Sequence, residues 1–518
     1  MTSETTLTPI APPKEPLARR ISDWMNPIVV KELRQSVQSR FVVAALLILL
    51  TIQIAATGIY LLVGGDPLNN FDTGRYVFMV LFGILLAVGM LFVPLYSGVR
   101  LAAERSETNL DLLFITTIKP RSIIAGKFLA AVVLTVLIFS ACLPFLTFTY
   151  FLRGIDLPSM AVVLVLGFAV VLLCSQIAIF VACLPLNRAF KFMLGLLMLV
   201  FFAIGYFSTM AGASQMFFTG IGSRLGEADF WQWVGIFALN FAGLLGLLFV
   251  LSVALITPAS ANRALPVRLY LTILWLLGAA AALTGSQVER THDPVIFWQA
   301  AFNVIFAIAL FVAVSERDQA GRRVLRDLPA SGLKRPLAFF LFSGAANGLL
   351  WASVMIAATY GVCWMWWTVF PNFSDLGDFV GATRWFTVMN LYLYSYALAG
   401  ALLRRHLLGR MPARWTWLLS TSLVVLGSIV PFAFGAMFFM SDKWWSETYG
   451  KWLVGNPFAW DVEAGRELYL SVSAAAAVLL TALTLPWFLE RTKAFQVEMP
   501  GEKLKNNLPE SDLPENDL

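Results

Sequence analysis

YVFMVLFGILLAVGMLFVPLYS, residues 76–97, contains no charged side chain in 22 consecutive positions. A helix needs about 20 mostly apolar residues to cross the hydrocarbon layer of a bilayer, which is about 30 Å thick. Across the whole chain 59% of the residues are hydrophobic and 13% are charged, whereas about 25% are charged in an ordinary soluble domain. The stretch is therefore read as a membrane span, and a water-soluble fold is excluded.

Apolar runs of the same kind, bounded by charges and turn residues, recur along the chain and predict twelve spans. The fold class is accordingly an all-α polytopic membrane protein with about 12 transmembrane helices. The predicted spans are 41–63, 76–97, 127–151, 159–184, 190–210, 233–257, 267–284, 295–315, 337–360, 385–403, 415–439 and 468–489.

Basic residues indicate how these spans are oriented, because Lys and Arg accumulate in cytoplasmic loops. With the N-terminus inside, 29 of the 37 Lys and Arg residues are cytoplasmic. Both termini then lie in the cytoplasm (N-in/C-in), and the expected location is the bacterial cytoplasmic (inner) membrane. The same bias accounts for the net charge of +6 without a nucleic-acid partner. The eight outer residues are Arg75, Arg153, Arg224, Arg290, Arg384, Lys443, Lys451 and Arg466.

The sequence predicts no catalytic, cofactor-binding or metal-binding residue. The two histidines, His292 and His406, lie in different loops, the four cysteines form no CxxC pair, and no complete P-loop is present. The spans contain almost no charge, which argues against a carrier coupled to protons or sodium ions. They do contain amides, for which we expect hydrogen bonds between helices. These amides are Gln53, Gln176, Asn240, Gln299, Asn303, Asn347 and Asn390.

Residues 26–40, NPIVVKELRQSVQSR, precede the first span. Asn26 suits an N-cap and Pro27 suits the first helical position. Apolar residues then recur at helical spacing, which predicts an amphipathic helix on the inner membrane face. A simple extension of span 1 is the alternative. The tails, residues 1–25 and 498–518, are expected to be disordered in the cytosol.

The cytoplasmic loop 98–126 joins spans 2 and 3 and combines charges with leucines. A short surface helix that docks on a partner would explain this combination, whereas a solvated loop is the alternative. The leucines are Leu101, Leu110, Leu112 and Leu113, and the charged residues are Glu104, Arg105, Glu107 and Asp111.

Both segments resemble the matching regions of ABC-2 type permeases, the transmembrane subunits of one class of ATP-binding cassette transporter. The resemblance covers about residues 26–257, half of the chain. In the helix before span 1, called the elbow helix in this family, the matching positions are Asn26, Pro27, Lys31 and Glu32. In the loop after span 2 they are Glu104, Arg105, Leu110, Asp111, Leu113, Thr116 or Thr117, Gly126 and Lys127.

The resemblance implies a six-span core in which the loop contacts a separate cytosolic ATPase that binds ATP and Mg. Glu104, Arg105, Leu110, Asp111 and Leu113 would form that ATPase-coupling contact. It also implies re-entrant outer helices between spans 5 and 6, where the apolar segment 205–222 lies. The loop departs from the family at Thr108-Asn109, where Gly-Thr is common, and at Thr117-Ile118, where Thr-Pro is common.

Residues 258–497 add six further spans, read either as an accessory region or as a degenerate repeat of the first six. Their second inner loop, 316–336, again opens with Glu316-Arg317. The expected partners are membrane lipids and the ATPase, and both a homodimer and a second permease subunit remain open.

The function that follows from the resemblance is ATP-driven movement of an unidentified substrate, for which the apolar spans favour an amphiphilic or lipid-like molecule. One alternative is a membrane enzyme acting on lipid-linked or glycan substrates at the outer face. Its candidate carboxylates are Asp375, Asp378, Asp442 and Asp461. The other alternative is a membrane scaffold that transports nothing.

Overall fold

A computed structural model describes residues 27–63, 73–106, 119–152, 154–258, 261–317, 334–438, 453–459 and 466–495. Within these ranges the chain is helical, apart from turns and one isolated β-bridge between Thr291 and Ser374. Twelve of the described helices are long and apolar enough to cross a membrane. The predicted number of spans is therefore confirmed, and the chain is an integral multi-pass membrane protein.

The twelve long helices are numbered here as spans 1 to 12, and four shorter helices lie between or before them. In order, the spans are Arg40–Val63, Thr73–Ser106, Pro120–Phe151, Leu157–Cys183, Arg188–Thr219, Ala228–Ile256, Ala264–Glu289, Asp293–Ala313, Ala345–Val369, Leu376–His406, Thr416–Phe438 and Arg466–Ala494. The shorter helices are Pro27–Val37, Ile221–Arg224, Lys334–Leu341 and a 3₁₀ turn at Ala413–Trp415.

The contacts divide the chain into unit 1, Met1–Thr257, and unit 2, Pro258–Leu518. Each unit is described by itself. We call the end of a unit at which its first span begins the basal end, and the opposite end the distal end.

Spans 2 and 4 form the centre of unit 1. Span 2 packs against spans 1, 3, 4 and 5, and span 4 packs against spans 3, 5 and 6 as well. Phe78, Leu81, Phe82 and Leu85, at helical spacing on span 2, are fully buried. Lipid chains are as apolar as these side chains, so close van der Waals packing holds the spans together.

Spans 8 and 10 form the centre of unit 2. Span 8 packs against spans 7, 9, 10 and 11, and span 10 packs against spans 9, 11 and 12 as well. Phe302, Phe306 and Leu310 recur at helical spacing on the buried side of span 8. Trp351 of span 9 meets the Phe306 ring edge to face at 5.6 Å.

The predicted span 337–360 is wrong at both ends. Residues Lys334–Leu341 form a separate helix, and span 9 begins only at Ala345. The break falls at Gly344, whose φ of +150° lies in a region that residues with a Cβ rarely adopt. At the other end the apolar sequence simply continues the helix to Val369.

The predicted loop 98–126 is also too long. Span 2 continues to Ser106 and span 3 begins at Pro120. Leu101 explains part of this difference, because it is buried against Ile124 and Ile179 and so holds the last turns of span 2 on the bundle. Residues 107–118 lie outside the described residues.

The segment 205–222 forms no re-entrant helix of its own. Residues 205–219 are the last turns of span 5, which ends at Thr219. Gly220, with φ +68°, then turns the chain into the short helix Ile221–Arg224. Small residues such as Gly and Ser suggested an irregular segment, but spanning helices tolerate them.

Candidate functional site

A buried ion pair lies at the basal end of unit 1. The Lys127 ammonium of span 3 donates to the Glu32 carboxylate at 2.7 Å, and the two side chains are only 4% and 7% exposed. Glu32 lies on the short helix Pro27–Val37, which packs along span 3. The pair therefore fixes the helix that precedes span 1 to the basal end of span 3.

Span 2 joins the same cluster through Arg100. Its guanidinium donates to the Tyr96 hydroxyl and to the Gln35 amide oxygen, both at 2.7 Å. Glu32, Lys127, Tyr96 and Arg100 line one small cavity, together with apolar residues of spans 2 and 3. Three elements that are distant in sequence are thus connected at one place by polar contacts.

The elbow positions have different environments. Pro27 is the first residue of the helix, Lys31 is exposed and Glu32 is buried, while Asn26 lies outside the described residues. The face that is buried carries Glu32 and Ser36. The apolar face predicted from the sequence is only partly buried at Val30 and Leu33, whereas Glu32 makes the ion pair with span 3.

The structure describes only part of the predicted ATPase-coupling contact. The backbone of Glu104 and Arg105 belongs to the last turn of span 2, and their side chains lie outside the description. Leu110, Asp111 and Leu113 lie outside the described residues entirely.

A second ion pair lies at the basal end of unit 2. Arg268 of span 7 donates to the Glu316 carboxylate at 2.7 Å, and it also donates to the Phe342 carbonyl oxygen. The other Glu316 oxygen accepts from the Gly344 N–H at 2.6 Å, where span 9 begins. Glu316 therefore connects the first three spans of unit 2. Only the Glu-Arg sequence pointed to this residue, and it suggested an exposed loop.

Close packing at Gly348 makes room for this pair. A Cβ at Gly348 would lie 2.6 Å from the Arg268 guanidinium and 2.7 Å from the Ala313 Cβ. Any larger residue here would displace Arg268 or separate spans 8 and 9.

Four polar side chains of unit 2 form a buried amide cluster, which consists of Gln299, Asn303, Tyr360 and Asn390. Asn303 Oδ1 accepts from the Asn390 amide at 2.6 Å and from the Tyr360 hydroxyl at 3.0 Å. Gln299 Oε1 accepts from Thr383 at 3.1 Å. The predicted hydrogen bonds between helices are therefore present here, and they join spans 8, 9 and 10.

The cluster still has unused hydrogen-bonding capacity. Gln299 Nε2 and Asn390 Oδ1 are buried without a hydrogen-bond partner. Unit 1 has no comparable amide cluster among its described residues: Gln53 donates to the Leu81 carbonyl oxygen and Gln176 donates to Ser252. Each of these bonds joins two spans.

At the distal end of unit 2 the loops after spans 7 and 9 meet. Ser374 donates its N–H to the Arg290 carbonyl oxygen at 3.1 Å. His292 lies beneath this contact, fully buried, and its ring stacks on Phe379 with centroids 4.8 Å apart. Neither ring nitrogen has a hydrogen-bond partner. Burial lowers the pKa of His292, and the nearby carboxylates of Asp375 and Asp293 oppose that effect.

The segment 453–459, between spans 11 and 12, reaches the middle of span 10. The Tyr396 hydroxyl donates to the Gly455 carbonyl oxygen at 2.5 Å, and the Gly455 N–H donates to the Tyr392 hydroxyl at 3.2 Å. The predicted span 10 begins at Trp385. Tyr396 lies about 16 Å further along the helix axis, because each residue advances the helix by about 1.5 Å. This part of the predicted outer loop 440–467 therefore contacts the middle of span 10, where the two tyrosines satisfy the polar backbone of Gly455.

An apolar groove of about 350 Å³ runs between spans 8, 10 and 11. It is lined by Phe311, Leu393 and Val424, among other apolar residues, and Trp417 lies at its basal end. The groove has almost no polar lining, so hydrocarbon is the material that suits it.

Of the four carboxylates of the enzyme hypothesis, the structure describes two. Asp375 and Asp378 begin span 10, whereas Asp442 and Asp461 lie outside the described residues. Among described residues no three His, Cys, Asp or Glu side chains form a metal-binding group.

Comparison with known proteins finds no matching family model, no matching curated protein and no matching solved structure.

Proposed function

We propose that this chain is an ABC-2 type permease subunit that moves an amphiphilic or lipid-like substrate with energy from a separate ATPase. The observation that supports this most is the pairing of Glu32 with Lys127. Both positions belong to the resemblance, and they are 95 residues apart in sequence. A coincidental resemblance gives no reason for the two positions to meet.

In this proposal the basal ends are cytoplasmic and receive the ATPase. Closure of the ATPase would push on the last turn of span 2, at Glu104 and Arg105, and on the segment that follows it. The basal contacts of unit 1 tie span 2 to the helix Pro27–Val37 and that helix to span 3. A push on one element is therefore transmitted to all three, and the spans tilt as rigid bodies.

The substrate class is inferred from the lining of the bundle. The described spans bury amides, hydroxyls and aromatic rings, and their buried ionic groups lie at the basal ends: Lys127, Arg268 and Arg404. A small ion would need charged or carbonyl ligands along its path. The apolar groove beside spans 8, 10 and 11 suits an acyl chain instead.

The experiment is purification of the full chain from its native membrane in mild detergent, followed by an assay of associated ATP hydrolysis. We expect an ATPase to copurify and its activity to change when the chain is removed. Glu104→Gln with Arg105→Gln should lower ATPase retention about tenfold, because charge-assisted hydrogen bonds contribute about 1.5–3 kcal/mol together with their partners.

The matched control is Arg121→Gln, an exposed basal arginine at the start of span 3 outside the loop motif. It should leave ATPase retention unchanged. Absence of any associated ATPase, or equal retention by the double variant and the wild type, would contradict the proposal. An ATPase that binds without any nucleotide-dependent change in the spans would favour the scaffold alternative.

A further inference from the structure

The two units share most of their span packing; among the described residues only the close pair of spans 1 and 3 has no close counterpart in spans 7 and 9. In unit 1 the close pairs include spans 1 and 2, 2 and 3, 2 and 4, 2 and 5, 3 and 4, 3 and 6, 4 and 5, and 4 and 6. Adding six to each number gives every close pair of spans in the described part of unit 2. Short connections explain why neighbours in sequence pack together. They do not explain the pairs 2 and 4, 2 and 5, 3 and 6, or 4 and 6, each of which recurs.

The connection after the fifth span of each unit returns to the fourth span. In unit 1, the Ile221 N–H donates to the Ser159 hydroxyl at the start of span 4. In unit 2, Gly455 bonds to Tyr392 and Tyr396 of span 10. The depth differs, but the partner is the equivalent span.

Two sequence features also recur at equivalent places. The pair Glu104-Arg105 lies in the last turn of span 2, and Glu316-Arg317 follows the last turn of span 8. An Asp-Leu pair begins the fourth span of both units, Asp156-Leu157 and Asp375-Leu376. In both cases the Asp occupies the N-cap position.

We infer that the chain is a tandem duplication of one six-span unit and therefore supplies both halves of a permease pair without a second copy. On the proposed function, on which this inference rests, one chain would take two ATPase subunits, one at the basal end of each unit. The sequence alone left the accessory-region alternative open, because the two inner loops do not align beyond the shared Glu-Arg pair.

The basal ends of the two units are each held together by different residues. Each unit holds the basal end of its third span with one ion pair of 2.7 Å, but the residues come from different elements. In unit 1 Glu32 precedes the first span and binds Lys127 in the third. In unit 2 Glu316 follows the second span, binds Arg268 in the first and caps the third at Gly344.

The test uses the full chain, produced simultaneously in one membrane with two different affinity tags. Membranes are cross-linked before solubilisation so that detergent cannot separate copies, and material purified by the first tag is assayed for the second. A tandem fusion of two full chains serves as the cross-linking and mass standard. We expect the second tag at background and a polypeptide mass of one copy, 57.3 kDa.

Recovery of the second tag at about half the amount of the first, as random pairing of two copies predicts, with a cross-linked mass twice that of one copy, would overturn the duplication inference. The ratio of ATPase to chain in the purified complex provides a second readout, for which we expect two to one. An equal ratio within a complex of two chains would also overturn the inference. If no ATPase is recovered, the proposed function fails, and the tag experiment still decides whether one chain is sufficient.

Discussion

Lys127 and Glu32 are the most completely buried ion pair among the described residues, with side-chain exposures of 4% and 7% and 2.7 Å between the charged atoms. Removal of one partner leaves the other charge buried without compensation, which costs about 3–5 kcal/mol. Removal of both leaves no stranded charge. The pair is therefore suited to a test that compares single and double substitutions.

We expect Glu32→Leu and Lys127→Met to destabilise the protein strongly when introduced singly, each by about 3–5 kcal/mol. The double variant should recover most of that loss, because two apolar side chains replace two charges. Thermal unfolding in detergent measures the effect, and the exposed neighbour Lys31→Ala is the control. Equal losses of stability in the single and double variants would show that the interaction between Glu32 and Lys127 does not account for the loss.

Gly348→Ala should disturb the basal end of unit 2. The added methyl group would meet the Arg268 guanidinium and Ala313 at well under van der Waals distance. Overpacking of this kind costs about 1–3 kcal/mol. Gly361→Ala is the matched control on the same helix, since no atom lies within 4 Å of a Cβ there. Unfolding midpoints of the two variants should therefore differ, and identical midpoints would contradict the packing described for Gly348.

Asn390 makes two amide hydrogen bonds in the buried cluster, to Asn303 and to Tyr360. Asn390→Leu should cost about 1–2 kcal/mol, since hydrogen bonds between spans are worth about 0.6–2 kcal/mol. Asn390→Asp should cost more, about 2.5 kcal/mol or above, because it places a carboxylate inside the bundle.

Asn240→Leu is the control for this series, because Asn240 is exposed and, among the described residues, its side chain bonds to the Ile236 carbonyl oxygen of its own helix. It should leave the unfolding midpoint unchanged. A series in which Asn390→Leu is as silent as Asn240→Leu would mean that the cluster does not hold spans 8, 9 and 10 together.

Hydropathy predicted the spans well because the cost of exposing polar groups to lipid acts on every residue in a window of about 20. Span 3 shows where this argument stops. Lys119 and Arg121 made residues 119–126 read as loop, yet the helix begins at Pro120. Spanning helices extend beyond the hydrocarbon layer, where charge carries no penalty.

The candidate sites were less predictable, because they depend on which spans are neighbours. Glu32 and Lys127 were both noted in the sequence, but nothing in either segment indicates that they pair. Gln299, Asn303 and Asn390 appeared only as dispersed amides. Gly455 gave no signal, because its contact with Tyr396 depends on backbone atoms and not on residue type.

His292 gives the chain a predictable pH dependence. Burial lowers its pKa below the ordinary value of about 6.5, so the unfolded chain binds a proton more readily than the folded one. The stability contributed by neutral His292 is thus fully present above about pH 6.5 and is lost as the pH falls towards the folded pKa. Asp375 and Asp293 face the ring and moderate the loss without reversing it.

We expect the wild type to unfold at a lower temperature at pH 5.5 than at pH 7.5, and His292→Phe to reduce that difference. Phenylalanine keeps the stacking on Phe379 but cannot be protonated. His406→Gln is the control, since it removes the only other histidine, which is exposed. It should retain the full difference between the two pH values. If His292→Phe retains it as well, the pH dependence arises from carboxylates elsewhere, and the buried imidazole does not titrate in the range that its environment predicts.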